Sequence, residues 1–263
     1  MPDPLPAISN LPLWATATLM LVVSTLVAGL APWLVRRGLG FERLVVNNEV
    51  AGFQYATLGT IYAILQGLAA VAVWDDYNSA RANVDAEAAA LINIDRLADG
   101  VPEPGRSAVR RALRDYASSV IDHEWPAMKR GEIAEEPRQA LRALGSALLT
   151  IEVRDPRDAV LYDHVLSETE RLLVYRRERL DLLAGSLPPL VGTVLYSGAL
   201  ITIAFTLFFA GRNVASQSLM TALLCLMVML VLFVTVELNY PFGGGISVDP
   251  GPFQRMLDWV GPA

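Results

Sequence analysis

The sequence predicts an all-α, four-span transmembrane helical protein with a helical extramembrane bundle inserted between spans 2 and 3. Three observations predict it. Residues 12–35, 52–73, 190–210 and 219–236 form apolar stretches without a single Asp, Glu, Lys or Arg. Each is long enough to cross a hydrocarbon core of about 30 Å as a helix. The intervening polar segment places its apolar residues at helical spacing and contains no alternating, strand-like run. The organisation expected is a first transmembrane pair over 1–73, an extramembrane domain over 74–189, a second pair over 190–238 and a C-terminal tail over 239–263.

The first span ends at Trp33 and the Arg36-Arg37 pair, an aromatic and basic anchor suited to a membrane interface. No Lys or Arg precedes it, which argues for a retained span over a cleaved signal. A short link, 38–48, leads to the second span. There Asn48 is a candidate helix cap, and Glu49 suits the positive end of the helix dipole. No Gly or Pro interrupts the chain from Leu68 to Asp99. One rod should therefore run from Glu49 to Ala98, about 75 Å at 1.5 Å per residue, with Trp74 and Tyr77 at headgroup level. Further helices are expected over 106–130, 136–153 and 158–184. The last runs toward Pro188-Pro189, a kink or helix restart before the third span. Sidedness is contradictory. Arg36, Arg37, Arg43 and Arg212 favour the short links inside, whereas Arg171, Arg176, Arg177 and Arg179 favour the insert inside.

The net charge of −6 argues against a nucleic-acid partner, which requires a basic face. Cys225 is the only cysteine, so no intrachain disulfide can form. His123 and His164 have no histidine four residues away and no cysteine cluster, and no metal or other cofactor is expected. No catalytic signature appears. The glycine run 243–245 opens no helix after a strand and reads as a flexible link rather than a phosphate loop.

The second span carries a small-residue stripe, Gly52, Ala56, Gly59, Ala63, Gly67 and Ala70. Such a stripe permits close helix–helix packing in a membrane. It equally suits a pore-lining helix, and Gln66 adds an amide that needs a partner or water in hydrocarbon. The readings agree if the stripe packs around an oligomer axis. Glu49 lies at one end of the span, Asp75 and Asp76 at the other. In a symmetric oligomer these become carboxylate rings, which favour cations; alone they are solvated helix-end charges.

The most distinctive short segment is Glu237-Leu238-Asn239-Tyr240-Pro241-Phe242-Gly243, beginning where the fourth span meets the interface. Together with Asn47-Asn48-Glu49-Val50-Ala51-Gly52-Phe53 and Val73-Trp74-Asp75-Asp76-Tyr77, it resembles the bacterial bestrophin-like membrane proteins. The resemblance runs from about residue 47 to 257 and implies an integral protein of the bacterial inner membrane. The Pro-Phe-Gly element is also similar to that of bestrophins proper, pentameric anion channels with four spans per subunit. Some of those bind calcium at an acidic cluster after Pro-Phe-Gly. Here that place holds Gly244, Gly245, Ile246, Ser247 and Val248, with only Asp249 acidic.

The expected function is an oligomeric ion channel in the lipid bilayer, with an axial pore lined by the second span. Glu49, Gly52, Gly59, Gln66, Asp75 and Asp76 form the expected ion pathway. Glu237, Asn239, Pro241 and Phe242 form the expected interface or gating element. The carboxylates favour cations, whereas the resemblance points to anions. The alternative is a non-conducting membrane scaffold or signalling protein whose insert binds a protein partner. A membrane enzyme is a weaker reading.

Overall fold

The structure is a computed structural model that describes residues 13–39, 48–209 and 213–261. The N-terminal tail, Arg43, Asn47 and Arg212, on which parts of the sequence reading rest, lie outside the described residues. Every regular element among the described residues is helical. The chain divides into two compact units, one of residues 1–75 and 186–239, the other of 76–185 and 240–263.

The first unit contains α1 (Leu13–Leu39), the first half of α2 (Asn48–Ala98), α7 (Pro189–Phe205) and α8 (Val214–Leu238). These four helices are long and apolar enough to cross a membrane. Only 11% to 22% of each apolar window is buried within the chain. Water would penalise so much exposed apolar surface, whereas lipid accepts it. α1 packs along α8. The small core comprises Tyr62, Ala69, Leu195, Ala199 and Leu232. Tyr62 donates its hydroxyl to the Leu195 carbonyl at 3.3 Å. Its ring lies so close to Gly198 that an added Cβ would stand 2.6 Å from it. Asn213 caps α8 by accepting from the amides of Ala215 and Ser216.

The rod expected from the second span is present. α2 is one helix of 51 residues that passes Trp74 and Tyr77 without a break. Asn48 is the first described residue of this helix. The helix ends at Ala98, and just beyond it Gly100 packs against Leu161: a Cβ there would stand 2.7 Å from a Leu161 methyl, which would have to move to admit it.

The second unit comprises the rest of α2, α3 (Gly105–Ser119), a π-helical turn (Val120–Glu124), α4 (Trp125–Met128), α5 (Glu136–Leu149), α6 (Pro156–Asp181) and α9 (Gly251–Val260). The single helix expected over 106–130 is therefore divided by the π turn. α6 starts earlier than expected because Asp155 accepts from the amides of Arg157 and Asp158, both at 2.8 Å, with Pro156 in the first turn. It closes in a 3₁₀ turn, Leu182–Ala184, and the helix restarts at Pro189. The core gathers Leu91, Ile94, Leu113, Leu144, Leu148 and Leu172. Sequence alone sets 239–263 apart as a tail, but Phe242, Val248, Phe253 and Met256 are buried in this same core.

Candidate functional site

The residues expected to form an ion pathway lie along α2. Its buried side in the first unit carries Ala51, Tyr62, Gln66, Ala69 and Val73. Gln66 is 7% exposed, and its amide nitrogen donates to the Val228 carbonyl of α8 at 3.0 Å. That bond supplies the partner an amide needs in hydrocarbon, and it places Gln66 on the packed side of the helix rather than an open one. Gly52 is half-buried beside Phe209. A Cβ added at Gly59 or Gly67 would meet nothing within 4 Å, so packing among the described residues does not demand either glycine.

Opposite the buried side runs a stripe exposed along its length: Thr57, Ile61, Ile64, Leu68 and Asp75, continuing as Ser79, Ala82 and Ala89. Glu49 and Asp75 are exposed and Asp76 is half-buried. Glu49 and Asp75 lie about 39 Å apart along the helix axis, a little more than a hydrocarbon core. Consecutive residues differ by about 100° around a helix, so Asp75 and Asp76 do not share a face.

The C-terminal motif is well packed. Asn239 is 9% exposed and accepts hydrogen bonds from Ser186 and Leu187. Glu237 is half-buried. Pro241 is buried, and its carbonyl accepts from the Val248 amide at 2.8 Å. The Phe242 ring stands edge-on to Trp125 at 5.8 Å. Trp125 meets Phe253 at 5.9 Å and donates its indole N–H to the Val248 carbonyl at 3.3 Å.

Beneath these rings lies a charge cluster that sequence reasoning missed. Arg179 is fully buried. Its Nε donates to Glu87 Oε2 at 2.7 Å, and Nη2 donates to Glu87 Oε1 at 3.1 Å and Glu124 Oε2 at 2.6 Å. Its Cζ lies 5.4 Å from the Trp125 ring centre and 5.9 Å from that of Phe253. Arg176 donates to the other Glu124 oxygen at 2.5 Å, and the Tyr116 hydroxyl donates to Glu87 at 2.5 Å. Two arginines thus neutralise two carboxylates brought together by α2, the π turn and α6. Burial pushes the Tyr116 phenol well above its usual range, and the Glu87 charge adds to the shift. Burial alone would lower the Arg179 pKa; the Glu87 and Glu124 carboxylates more than reverse this and raise it.

Sequence offered only faint signals of the cluster. Arg176 and Arg179 read as charges beside a span, and Glu87 as one polar residue on a long helix. His123 and His164 are exposed, and no group of three or more His, Cys, Asp and Glu among the described residues is placed to hold a metal.

Four apolar helices with a helical extramembrane unit define an all-α integral membrane protein. The Bestrophin-like domain model matches residues 22–253, and the chain belongs to that family. The fold is similar to crystal structures of a bacterial bestrophin homologue from Klebsiella pneumoniae. One single-substitution form has 15% identity and a TM-score of 0.72, over 92% of this chain and 99% of that one. Another has 17% identity and a TM-score of 0.71, over 93% and 98%. A further structure, described only as a membrane protein, has 14% identity and a TM-score of 0.72, over 91% and 98%. Comparison with curated proteins gave no match.

Proposed function

We propose that this chain is the subunit of a homo-oligomeric ion channel of a bacterial plasma membrane, with α2 lining the pore. The observation that carries the reading is the long α2 itself, exposed on one stripe from end to end, with Gly59 and Gly67 facing open space. Glycine weakens a helix, and nothing among the described residues requires it at these positions. A neighbouring copy of α2 supplies the reason. Close approach at the glycines lets α2 pack tightly against a neighbouring subunit around a common axis.

The pathway then passes Glu49, the apolar Ile64 and Leu68, and the Asp75 and Asp76 level. Gln66 serves by holding α2 to α8. The carboxylates, repeated around an axis, repel one another, and that repulsion draws in cations. Membership of the bestrophin-like family supports the channel reading, and the residues present support a cation preference.

Purified protein in planar bilayers under a salt gradient tests this. The reversal potential should move toward the cation equilibrium value, and more strongly at low salt, where screening is weak. A shift toward the chloride potential overturns the cation preference. No current under any ionic condition overturns the channel reading. In that case the exposed Leu149, Val160, Leu173 and Val174 of the second unit favour a scaffold that binds a protein partner.

A further inference from the structure

The connection between α6 and α7 has few free backbone donors. Gly185 sits at φ 81°, in the left-handed region open to glycine, and its amide is used by the Leu182 carbonyl. Pro188 and Pro189 carry no N–H. Ser186 and Leu187 remain. Both amides donate to one atom, Oδ1 of Asn239, at 3.1 and 2.9 Å. The Ser186 hydroxyl lies at 3.3 Å from the same oxygen. Asn239 follows the last residue of α8, and its own amide donates to the Thr235 carbonyl at 3.2 Å. The free amides of the connection therefore close on the Asn239 side chain, while its backbone amide closes the helix end.

The location gives the contact its meaning. Ser186 is the residue at which the chain enters the first unit, and Asn239 the residue at which it leaves. One amide oxygen fastens the incoming strand to the outgoing helix end. Asn239 also stands within the distinctive segment that begins at Glu237, and the ion pathway proposed above makes no use of it.

We propose that Asn239 is a positioning residue that locks the lead-in of α7 to the end of α8, so that the two helices shift as one piece when the channel opens and closes. The gating part of this proposal rests on the channel reading above; the lock does not. Asp at this position keeps the acceptor oxygen, Ala removes it, and Gln carries it one methylene too far.

The test uses the full chain in lipid nanodiscs for amide hydrogen exchange, and the same preparations in planar bilayers for single-channel recording. Asn239→Ala should make the Ser186 and Leu187 amides exchange about fivefold faster, the factor expected when a hydrogen bond worth about 1 kcal/mol is lost. It should change the open probability severalfold while leaving the reversal potential untouched, because Asn239 is not in the pore. Asn239→Asp should restore both readouts. Unchanged exchange in Asn239→Ala overturns the lock. Faster exchange with unaltered open probability overturns the gating role. If the unmodified protein passes no current, the channel reading and the gating role fall together, and the exchange comparison alone decides the lock. Should Asn239→Ala fail to purify, Asn239→Gln is measured in its place and should show the same two changes.

Discussion

Replacing Arg179 with Met removes a cation that touches both Glu87 and Glu124, in a place where neither carboxylate reaches water. Met approximates the length of the arginine stem, so the loss is mainly of charge and hydrogen bonds. Four bonds go: three to carboxylate oxygens and one to Met128 Sδ. Arg176 still holds one oxygen of Glu124, and Tyr116 one of Glu87. Breaking a buried pair by removing one partner costs about 3–5 kcal/mol. Against a total stability of about 5–15 kcal/mol, that is a large fraction. For a chain of this size it corresponds to a fall in melting temperature of roughly 6–20 °C. Intrinsic tryptophan fluorescence during heating of the detergent-purified protein measures it, with Trp125 stacked on the site as reporter. Arg179→Lys keeps the charge but loses the planar fork and should fall between the two. Adding Glu87→Gln to Arg179→Met should recover part of the loss by removing a stranded charge. If Arg179→Met melts within about 2 °C of the unmodified protein, the cluster is not holding the unit together and the argument fails.

Three further outcomes are expected. Because the Tyr116 pKa is raised above its ordinary value of 10.0 on folding, the folded state holds this proton more tightly. Its contribution is therefore full below pH 10 and declines as pH rises beyond it, so denaturant titrations at alkaline pH should show a falling limb that Tyr116→Phe flattens. Gly198→Ala should cost about 1–3 kcal/mol by driving a methyl into the Tyr62 ring, whereas Gly59→Leu should leave the subunit folded and instead break up the oligomer, as native mass spectrometry would reveal. Phe242→Ala should cost about 3–5 kcal/mol and alter the tryptophan emission, because its ring is buried against Trp125; an unchanged midpoint would mean residues 240–261 merely rest on the core.

The helices were readable in the sequence because their causes are local. Charge-free runs marked the spans, and the absence of Gly and Pro between Leu68 and Asp99 marked the long rod. The Pro188-Pro189 pair marked the restart before α7. What stayed hidden depends on pairing across the chain. Glu87 and Arg179 are 92 residues apart, and each looks like an ordinary solvated charge until the other is found. The inward turn of Glu124 arises from one π-helical turn, for which Val120–Glu124 carries no punctuating residue. Gln66 was legible as a polar group in need of a partner, but not as one facing α8. The glycine run 243–245 suggested a free link because Gly dominates it. The anchors that hold it, Phe242 and Val248, flank it and find their partners far back in the chain.

The second unit is discontinuous in sequence, since residues 76–185 and 240–263 are separated by two complete spans. Chains are made from the N-terminus, and domains generally fold as they emerge. This one cannot finish when its helices first appear, because Phe242, Phe253 and Met256 are still unmade and the faces they cover, Trp125 among them, remain bare. It stays open through the synthesis and insertion of α7 and α8, and closes only when the chain returns to it. Closure of the extramembrane core thus reports that the last two spans exist. A polypeptide stalled between residues 190 and 238 would display an unsealed aromatic surface, the kind of mark by which cellular quality control distinguishes unfinished chains from finished ones.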